Sequence, residues 1–154
     1  MKTYQQLISE CLSSVEEVFP WDLEAALQSP AKPLLLDIRE PDEFQAMHIQ
    51  DSINVPRGIL EQSCEWDYEE TVPELVNARG KPIVIICRSG NRSVLAAYTL
   101  QQMGYQNVKS LKTGLKGWTD YEQPLVDNHN QAVDIDNADE YFTSKIKPEQ
   151  LRPK

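Results

Sequence analysis

Short apolar runs alternate along this 154-residue chain with stretches whose apolar residues recur at helical spacing. Four of the runs predict strands, namely "LLLDI" from Leu34, "SINVP" from Ser52, "PIVII" from Pro82 and "NVKSL" from Asn107. The run "PIVII" is rich in β-branched residues and shows no alternation, which is typical of a strand covered on both faces. Since helical stretches separate the strands, the pattern predicts an α/β fold with an open, mostly parallel sheet.

Helix signals lie between these strands. Pro41 stands at a first helical position with two acidic residues behind it, which predicts a short helix before the second strand. The stretch 93–103 carries a broad apolar face and ends at Gly104, a residue suited to a helix C-cap. Further helices are predicted over 4–18, over 21–27 and from about Gly114, with short ones in the irregular stretch 57–79.

Composition divides the chain into three parts. Residues 1–17 are predicted to form an N-terminal helical extension, and residues 18–122 the α/β domain. Residues 123–154 are polar, acidic first and basic last, with few large apolar groups. We expect this C-terminal segment to be a tail that is loose or packed only locally.

Charge and cysteine usage argue against several classes of function. The formal net charge of −9 argues against nucleic acid as a partner, because phosphate binding needs a basic surface. No apolar run is long enough for a membrane span, and the N-terminus lacks the apolar core of a secretory signal, so we expect a cytoplasmic protein without a membrane partner. Cys11, Cys64 and Cys87 include no CxxC pair and no histidines cluster, so we expect no disulfide framework, no metal and no cofactor.

One region of this acidic chain is positive. Residues 75–119 contain seven lysines and arginines and no acidic residue. Cys87 lies inside this region, directly after the predicted central strand "PIVII". In an open parallel sheet, ligands bind beyond the carboxyl ends of the strands, so Cys87 stands where a functional site is expected.

The residues that follow Cys87 predict an anion-binding loop. Arg88 to Arg92 form a short connection in which Gly90 can adopt a positive φ angle, and the next helix presents unpaired N–H groups to the same space. Such donors, with two arginines nearby, favour a thiolate over a thiol. A buried structural cysteine is the common alternative, but packing alone poorly explains two arginines and a tight glycine turn.

Three motifs resemble, in the same order, those of single-domain rhodaneses, the thiosulfate sulfurtransferase superfamily. They are "LLDIREPDEFQAMHIQDSINVP", "IVIICRSGNRSVLAAYTLQQMGY" and "NVKSLKTGLKGW", and the likeness extends over about residues 18–121. The resemblance implies a five-stranded parallel sheet with helices on both faces. Two stretches depart from the family pattern, "MHIQDS" in place of "GHIPGA" and "TGLKGW" in place of "GGIAAW", and both concern turns and packing.

The resemblance also implies roles for individual residues. Cys87 is expected to be the catalytic nucleophile, which accepts a sulfane sulfur as a persulfide. Asp37 and Arg39 match a polar pair at a strand end and are expected to support the loop without reacting. The loop around the sulfur is expected to comprise Arg88, Ser89, Gly90, Asn91, Arg92 and Ser93.

The implied reaction is a two-step sulfur transfer. The Cys87 thiolate takes the outer sulfur of a small anionic donor such as thiosulfate, and a thiol, cyanide or a protein acceptor then takes that sulfur from the persulfide. Arg88 and Arg92 are expected to bind the donor's oxyanion, and backbone N–H groups to hold charge on the sulfur.

Two other functions fit parts of the pattern. A phosphatase or arsenate reductase also places a cysteine before an anion-binding loop, but cysteine-dependent phosphatases have five residues between cysteine and arginine, and here only four separate Cys87 from Arg92. A persulfide carrier or regulatory module without thiosulfate turnover would keep the same cysteine. Cys64 could relay the persulfide, although the flanking Glu65 and Asp67 disfavour its thiolate.

Overall fold

The computed structural model describes residues 1–154 and contains one sheet of five parallel strands. In chain order the strands are β1 (Glu16–Val18), β2 (Leu34–Asp37), β3 (Ile53–Asn54), β4 (Pro82–Ile86) and β5 (Asn107–Leu111). Their order across the sheet is β1-β5-β4-β2-β3, so β4 lies in the centre. The predicted open parallel sheet is confirmed.

Helices cover both faces of this sheet. They are α1 (Tyr4–Leu12), α2 (Pro20–Leu27), α3 (Pro41–Ala46), α4 (Leu60–Ser63), α5 (Pro73–Val76), α6 (Arg92–Gln102), α7 (Gly114–Asp120) and α8 (Ile135–Phe142). Short 3-10 turns occur at Arg57–Ile59 and Pro148–Gln150. No helix is long and apolar enough to cross a membrane.

Side chains of the central strands alternate between two apolar cores, one on each face of the sheet. Leu36, Ile85 and Cys87 belong to the core shared with α1 and α6. Leu35 and Ile86 belong to the core shared with α2, α7 and α8. Because both faces are covered, β4 can be apolar at successive positions, and this explains its lack of alternation in the sequence.

The prediction of one helix over residues 4–18 is wrong beyond Leu12. The helix α1 ends there, and the Ser13 hydroxyl donates to the Glu10 carbonyl (2.7 Å) at its end. The chain then enters β1, which pairs with β5 at the edge of the sheet. A three-residue strand containing two glutamates has no local strand signal, so its conformation is set by the partner strand. The sheet therefore begins inside the predicted extension 1–17.

The C-terminal segment packs more closely than predicted. Asp134 caps the first turn of α8, and Ala138 and Phe142, which lie one turn apart, are buried against α7 and its core. Residues 143–154 are exposed throughout. The expectation of a tail that is loose or packed only locally therefore does not hold for residues 123–142, because a few apolar residues on one helix face are enough to dock a short helix on the core of the domain.

Candidate active site

The sulfur of Cys87 lies directly beyond β4, inside the predicted loop. The backbone N–H of Gly90 donates to Cys87 Sγ at 3.1 Å, and the N–H of Ser93 does so at 3.4 Å. The Ser93 hydroxyl lies 3.2 Å from the same sulfur. Cys87 is 1% exposed, so the sulfur is surrounded by protein donors and not by water. Donors converging on one atom in a buried site stabilise negative charge there.

The loop can take this shape because of Gly90. Its φ angle is +88°, and a Cβ at this position would lie 2.8 Å from the Thr113 backbone nitrogen. The first turn of α7 also binds the loop from outside, because the N–H groups of Leu115 and Lys116 donate to the carbonyls of Cys87 and Arg88, both at 3.0 Å. With these carbonyls held by α7, the loop's own N–H groups remain directed at the sulfur.

A second serine supports the site. Ser110 lies on β5, and its hydroxyl is 2.7 Å from the Ser93 hydroxyl, with both residues fully buried. Ser110 was not singled out in the sequence. The signal that could have found it is a hydroxyl at an inward position of a strand next to β4, where an unpartnered polar atom would be costly.

Arg92 is held beside the loop by a carboxylate that sequence reasoning missed. Its guanidinium donates two hydrogen bonds to Glu43 of α3, at 2.9 and 3.0 Å. Burial acts to raise the pKa of Glu43, but the hydrogen bonds and charge of Arg92 outweigh it and bring the pKa below its ordinary value. The hydrogen bond to Glu43 in turn raises the pKa of Arg92, which stays cationic near Cys87.

Arg88 makes its hydrogen bond to a different part of the chain. Its Nη2 donates to the carbonyl of Phe142, the last residue of α8, at 2.6 Å. A cation at a helix C-terminus is favourable because the final carbonyls lack partners in the helix. The two arginines therefore have separate attachments, Arg92 to α3 and Arg88 to α8. The remaining loop positions are Ser89, which is exposed, and Asn91, which is half-buried and precedes α6.

Asp37 and Arg39 form a fully buried ion pair with two parallel hydrogen bonds, Nε to Oδ1 at 3.0 Å and Nη2 to Oδ2 at 2.9 Å. Arg39 Nη2 also donates to the carbonyl of Met47 at 2.7 Å. None of the hydrogen bonds of this pair reaches the Cys87 loop directly. The pair ties the end of β2 to the residue after α3, the helix whose Glu43 holds Arg92.

Cys64 is also buried, but its surroundings differ. All three cysteines are free thiols. Burial raises the pKa of the Cys64 thiol, the carboxylates of Glu65 and Glu61 act in the same direction, and the lowering by the Tyr105 hydrogen bond and by the charge of Arg79 does not offset them. The thiol lies near Tyr105, whose own pKa is raised by burial and by Cys64. These surroundings favour a neutral thiol.

A cavity of about 650 Å³ lies away from this site. Its walls include Leu34 and Pro82, the first residues of β2 and β4, so it opens at the amino-terminal end of the strands. Cys87 lies at the opposite end. The candidate active site is therefore a tight loop around one sulfur atom, a size suited to a small ligand.

A family model described as "Rhodanese-like domain" matches residues 20–121 of the chain. The chain belongs to the rhodanese-like family. The match contains the strand, loop and helix around Cys87, and the resemblance of the three sequence motifs is confirmed. The helices α1 and α8 lie outside the matched residues.

Relatives with curated names include sulfurtransferases. The adenylyltransferase and sulfurtransferase UBA4 of Candida albicans is 33% identical over 111 residues, which cover 67% of this chain but 23% of that protein. The "Putative thiosulfate sulfurtransferase, mitochondrial" of Schizosaccharomyces pombe is 32% identical over 117 residues, which cover 69% of this chain and 81% of that protein. Sulfur transfer in general is therefore supported as the chemistry of this rhodanese-like chain.

A solved structure from Rhodopseudomonas palustris shares the fold. It is described as a protein of unknown function and "Possible Tyrosine Phosphatase". Its TM-score is 0.74 at 30% sequence identity, and the match covers 81% of this chain and 95% of that one.

Proposed function

We propose that the protein is an enzyme that carries a sulfane sulfur on Cys87 as a persulfide, taking it from thiosulfate or a persulfide donor and passing it to a thiophilic acceptor. The observation that carries this proposal is the convergence of the Gly90 and Ser93 N–H groups on Cys87 Sγ. Membership of the rhodanese-like family and the sulfurtransferase relatives support it.

In the first step, the Cys87 thiolate attacks the outer sulfur of thiosulfate. The new S–S bond forms as the S–S bond of thiosulfate breaks, and sulfite leaves with the electron pair of the broken bond. The loop N–H groups and the Ser93 hydroxyl stabilise the negative charge that starts on Cys87 Sγ and moves to the outer sulfur. Arg92, held by Glu43, contributes a fixed positive charge next to this reaction.

In the second step, an acceptor attacks the outer sulfur of the persulfide. Cyanide would give thiocyanate, and a thiolate or a protein thiol would become a persulfide. The Cys87 thiolate is released in either case, so one turnover returns the enzyme to its starting state. The acceptor is expected to approach from the exposed side of the loop at Ser89.

A phosphatase is a second candidate, because the Rhodopseudomonas palustris structure is described as a possible tyrosine phosphatase. Phosphatase loops place N–H groups around a phosphoryl group beyond the cysteine. In this protein the nearest N–H groups lie within 3.4 Å of the sulfur itself, and four residues separate Cys87 from Arg92. The shorter spacing between the cysteine and the arginine favours a sulfur ligand over a phosphoryl group. A persulfide carrier without free thiosulfate turnover would share the same loop.

Steady-state thiocyanate formation from thiosulfate and cyanide tests the proposal. We expect turnover by the wild type and none by Cys87→Ser. A carrier would give a Cys87 persulfide with a protein donor but no turnover with thiosulfate and cyanide. Release of phosphate from an aryl phosphate, without sulfur on Cys87, would replace sulfur transfer with phosphoryl transfer as the function.

A further inference from the structure

The N-terminal helix α1 lies outside the family match but beside the active-site helix α6. Ile8 of α1 is buried in the same core as Cys87 and Val94. At the carboxyl ends of the two helices, Gln101 Nε2 donates to the carbonyl of Ser14 at 2.9 Å. The helices therefore run side by side in the same direction, which brings the amino end of α1 toward the amino end of α6, where the loop donors surround Cys87.

Tyr4 is the first residue of α1 and stands at this end. Its hydroxyl has no hydrogen-bond partner within the protein, and the residue is 49% exposed. Burial raises the pKa of Tyr4, charge on Cys87 raises it further and the charge of Arg92 lowers it. Tyr4 lies one turn before Ile8 and therefore on the same face of α1, the face that packs into the core containing Cys87. The effects of Cys87 and Arg92 on its pKa agree with this placement.

The two arginines near the sulfur are each attached to another part of the chain. Arg92 donates two hydrogen bonds to Glu43, and Arg88 donates to the Phe142 carbonyl. The Gly90 and Ser93 N–H groups are directed at Cys87 Sγ. The Tyr4 hydroxyl is a further donor on the α1 side of the site, on a chain whose net charge of −9 otherwise repels anions.

We infer that Tyr4 is a specificity-determining residue, whose hydroxyl donates a hydrogen bond to the anionic group of the ligand that reacts at Cys87. The identity of the natural ligand rests on the proposed function. If the ligand is a sulfur donor such as thiosulfate, the anionic group is its terminal oxyanion. Tyr4 selects anionic over neutral reactants and takes no part in bond breaking. The helix α1 lies outside the residues that the family model matches, so this contact is not part of the matched domain.

Tyr4→Phe tests the inference, with Tyr98→Phe as the control, because Tyr98 is a similarly exposed tyrosine of α6. Alkylation of Cys87 is followed by peptide mass analysis with two reagents of similar shape, anionic iodoacetate and neutral iodoacetamide. For Tyr4→Phe we expect the iodoacetate rate constant to fall about fivefold, the effect of losing one partly exposed hydrogen bond to a charged group. The iodoacetamide rate should be unchanged, and Tyr98→Phe should match the wild type with both reagents.

Sulfur loading provides the second readout. For thiosulfate, Tyr4→Phe should raise KM about fivefold and leave kcat unchanged, because the lost contact is made equally before and during the reaction. Equal rate changes with both alkylating reagents, or no change with iodoacetate, would overturn the inference. Absence of sulfur loading in the wild type would instead count against the proposed function, since the alkylation contrast does not depend on sulfur transfer.

Discussion

Cys87 and Cys64 are two free thiols in one apolar core, and both are almost fully buried. Around Cys87, two backbone N–H groups and a serine hydroxyl approach the sulfur, and the guanidinium of Arg92 lies nearby. Around Cys64, burial raises the pKa of the thiol, and Glu61 and Glu65 reinforce the rise. The cysteines share their burial and differ in the groups that face them.

This difference shows that depth in the core does not identify a nucleophile. Burial by itself disfavours the thiolate, because a charge in an apolar environment is poorly solvated. The loop at Cys87 replaces the lost water with fixed donors, whereas at Cys64 the hydrogen bond of Tyr105 and the charge of Arg79 do not outweigh burial and the two carboxylates. We propose that the donors of the Cys87 loop, and not the apolar residues around it, account for the chemistry of this cysteine.

The largest effect is expected from exchanging the Cys87 thiol for a hydroxyl, with the same exchange at Cys64 as the matched comparison. Cys87→Ser should lower thiocyanate formation by about a thousandfold or more, since loss of a nucleophile removes the covalent step. Cys64→Ser should keep turnover with thiol acceptors at the wild-type level. A comparable loss of turnover in Cys64→Ser, in a protein that stays folded by circular dichroism, would establish Cys64 as a relay. The two cysteines would then not differ in function as proposed.

Gly90→Ala should have the second largest effect, on both stability and sulfur loading. A Cβ would meet the Thr113 nitrogen at 2.8 Å, and the φ angle of +88° is unfavourable for alanine. We expect a loss of about 3 kcal/mol in the free energy of unfolding, from backbone strain and overpacking together. Gly80→Ala is the matched control, because nothing lies within 4 Å of its Cβ position. Urea unfolding and sulfur loading measure both effects, and similar behaviour of the two variants would contradict the proposed role of the loop backbone.

Ser93→Ala is expected to have an intermediate effect. It removes the hydroxyl between Cys87 Sγ and Ser110 and leaves the Ser110 hydroxyl buried without its partner. The loss should be about 1–3 kcal/mol in stability, with about a tenfold slower sulfur loading. The double variant Ser93→Ala with Ser110→Ala should recover part of the stability but none of the loading rate. Fully additive stability losses would show that the two hydroxyls act independently.

Glu43→Gln should have the smallest effect, because its ion pair with Arg92 is partly exposed. At pH 7 we expect a loss of about 0.5–1 kcal/mol in stability. The folded-state pKa of Glu43 lies below its ordinary value of 4.5, so the pair stabilises the fold above that pH and loses its effect as the pH falls through the lowered value. Thermal unfolding of both proteins from pH 7 to pH 3 should show the difference in Tm closing at the acidic end. A constant difference would exclude titration of Glu43 as its source.

Much of the fold could be predicted because its signals are local. The strand "PIVII", the glycine turn and the helix beginning at Arg92 are adjacent in sequence, and their residue types determine a strand, a loop and a helix N-terminus in turn. The position of Cys87 at the carboxyl end of a central strand follows from that order. The parallel sheet follows from the alternation of strands and helices.

The remaining features depend on partners that are distant in sequence. Strand β1 exists because β5 pairs with it, and its own two glutamates give no sign of a strand. Glu43 is separated from Arg92 by 49 positions and Phe142 from Arg88 by 54, so no local pattern links them. For this reason the sequence predicts that both arginines bind the donor, and it gives no indication that Arg92 is bound to Glu43 and Arg88 to Phe142. The docking of α8 likewise depends on a core that only the folded chain assembles.

The most direct test of the central claim is the mass of the protein after incubation with thiosulfate, followed by peptide analysis to locate the adduct. If Cys87 carries the sulfur, the protein gains one sulfur atom on Cys87, removable by cyanide as thiocyanate, with Cys11 and Cys64 unchanged. Sulfur on Cys64 in place of Cys87, or no sulfur adduct while an aryl phosphate is hydrolysed, would contradict it.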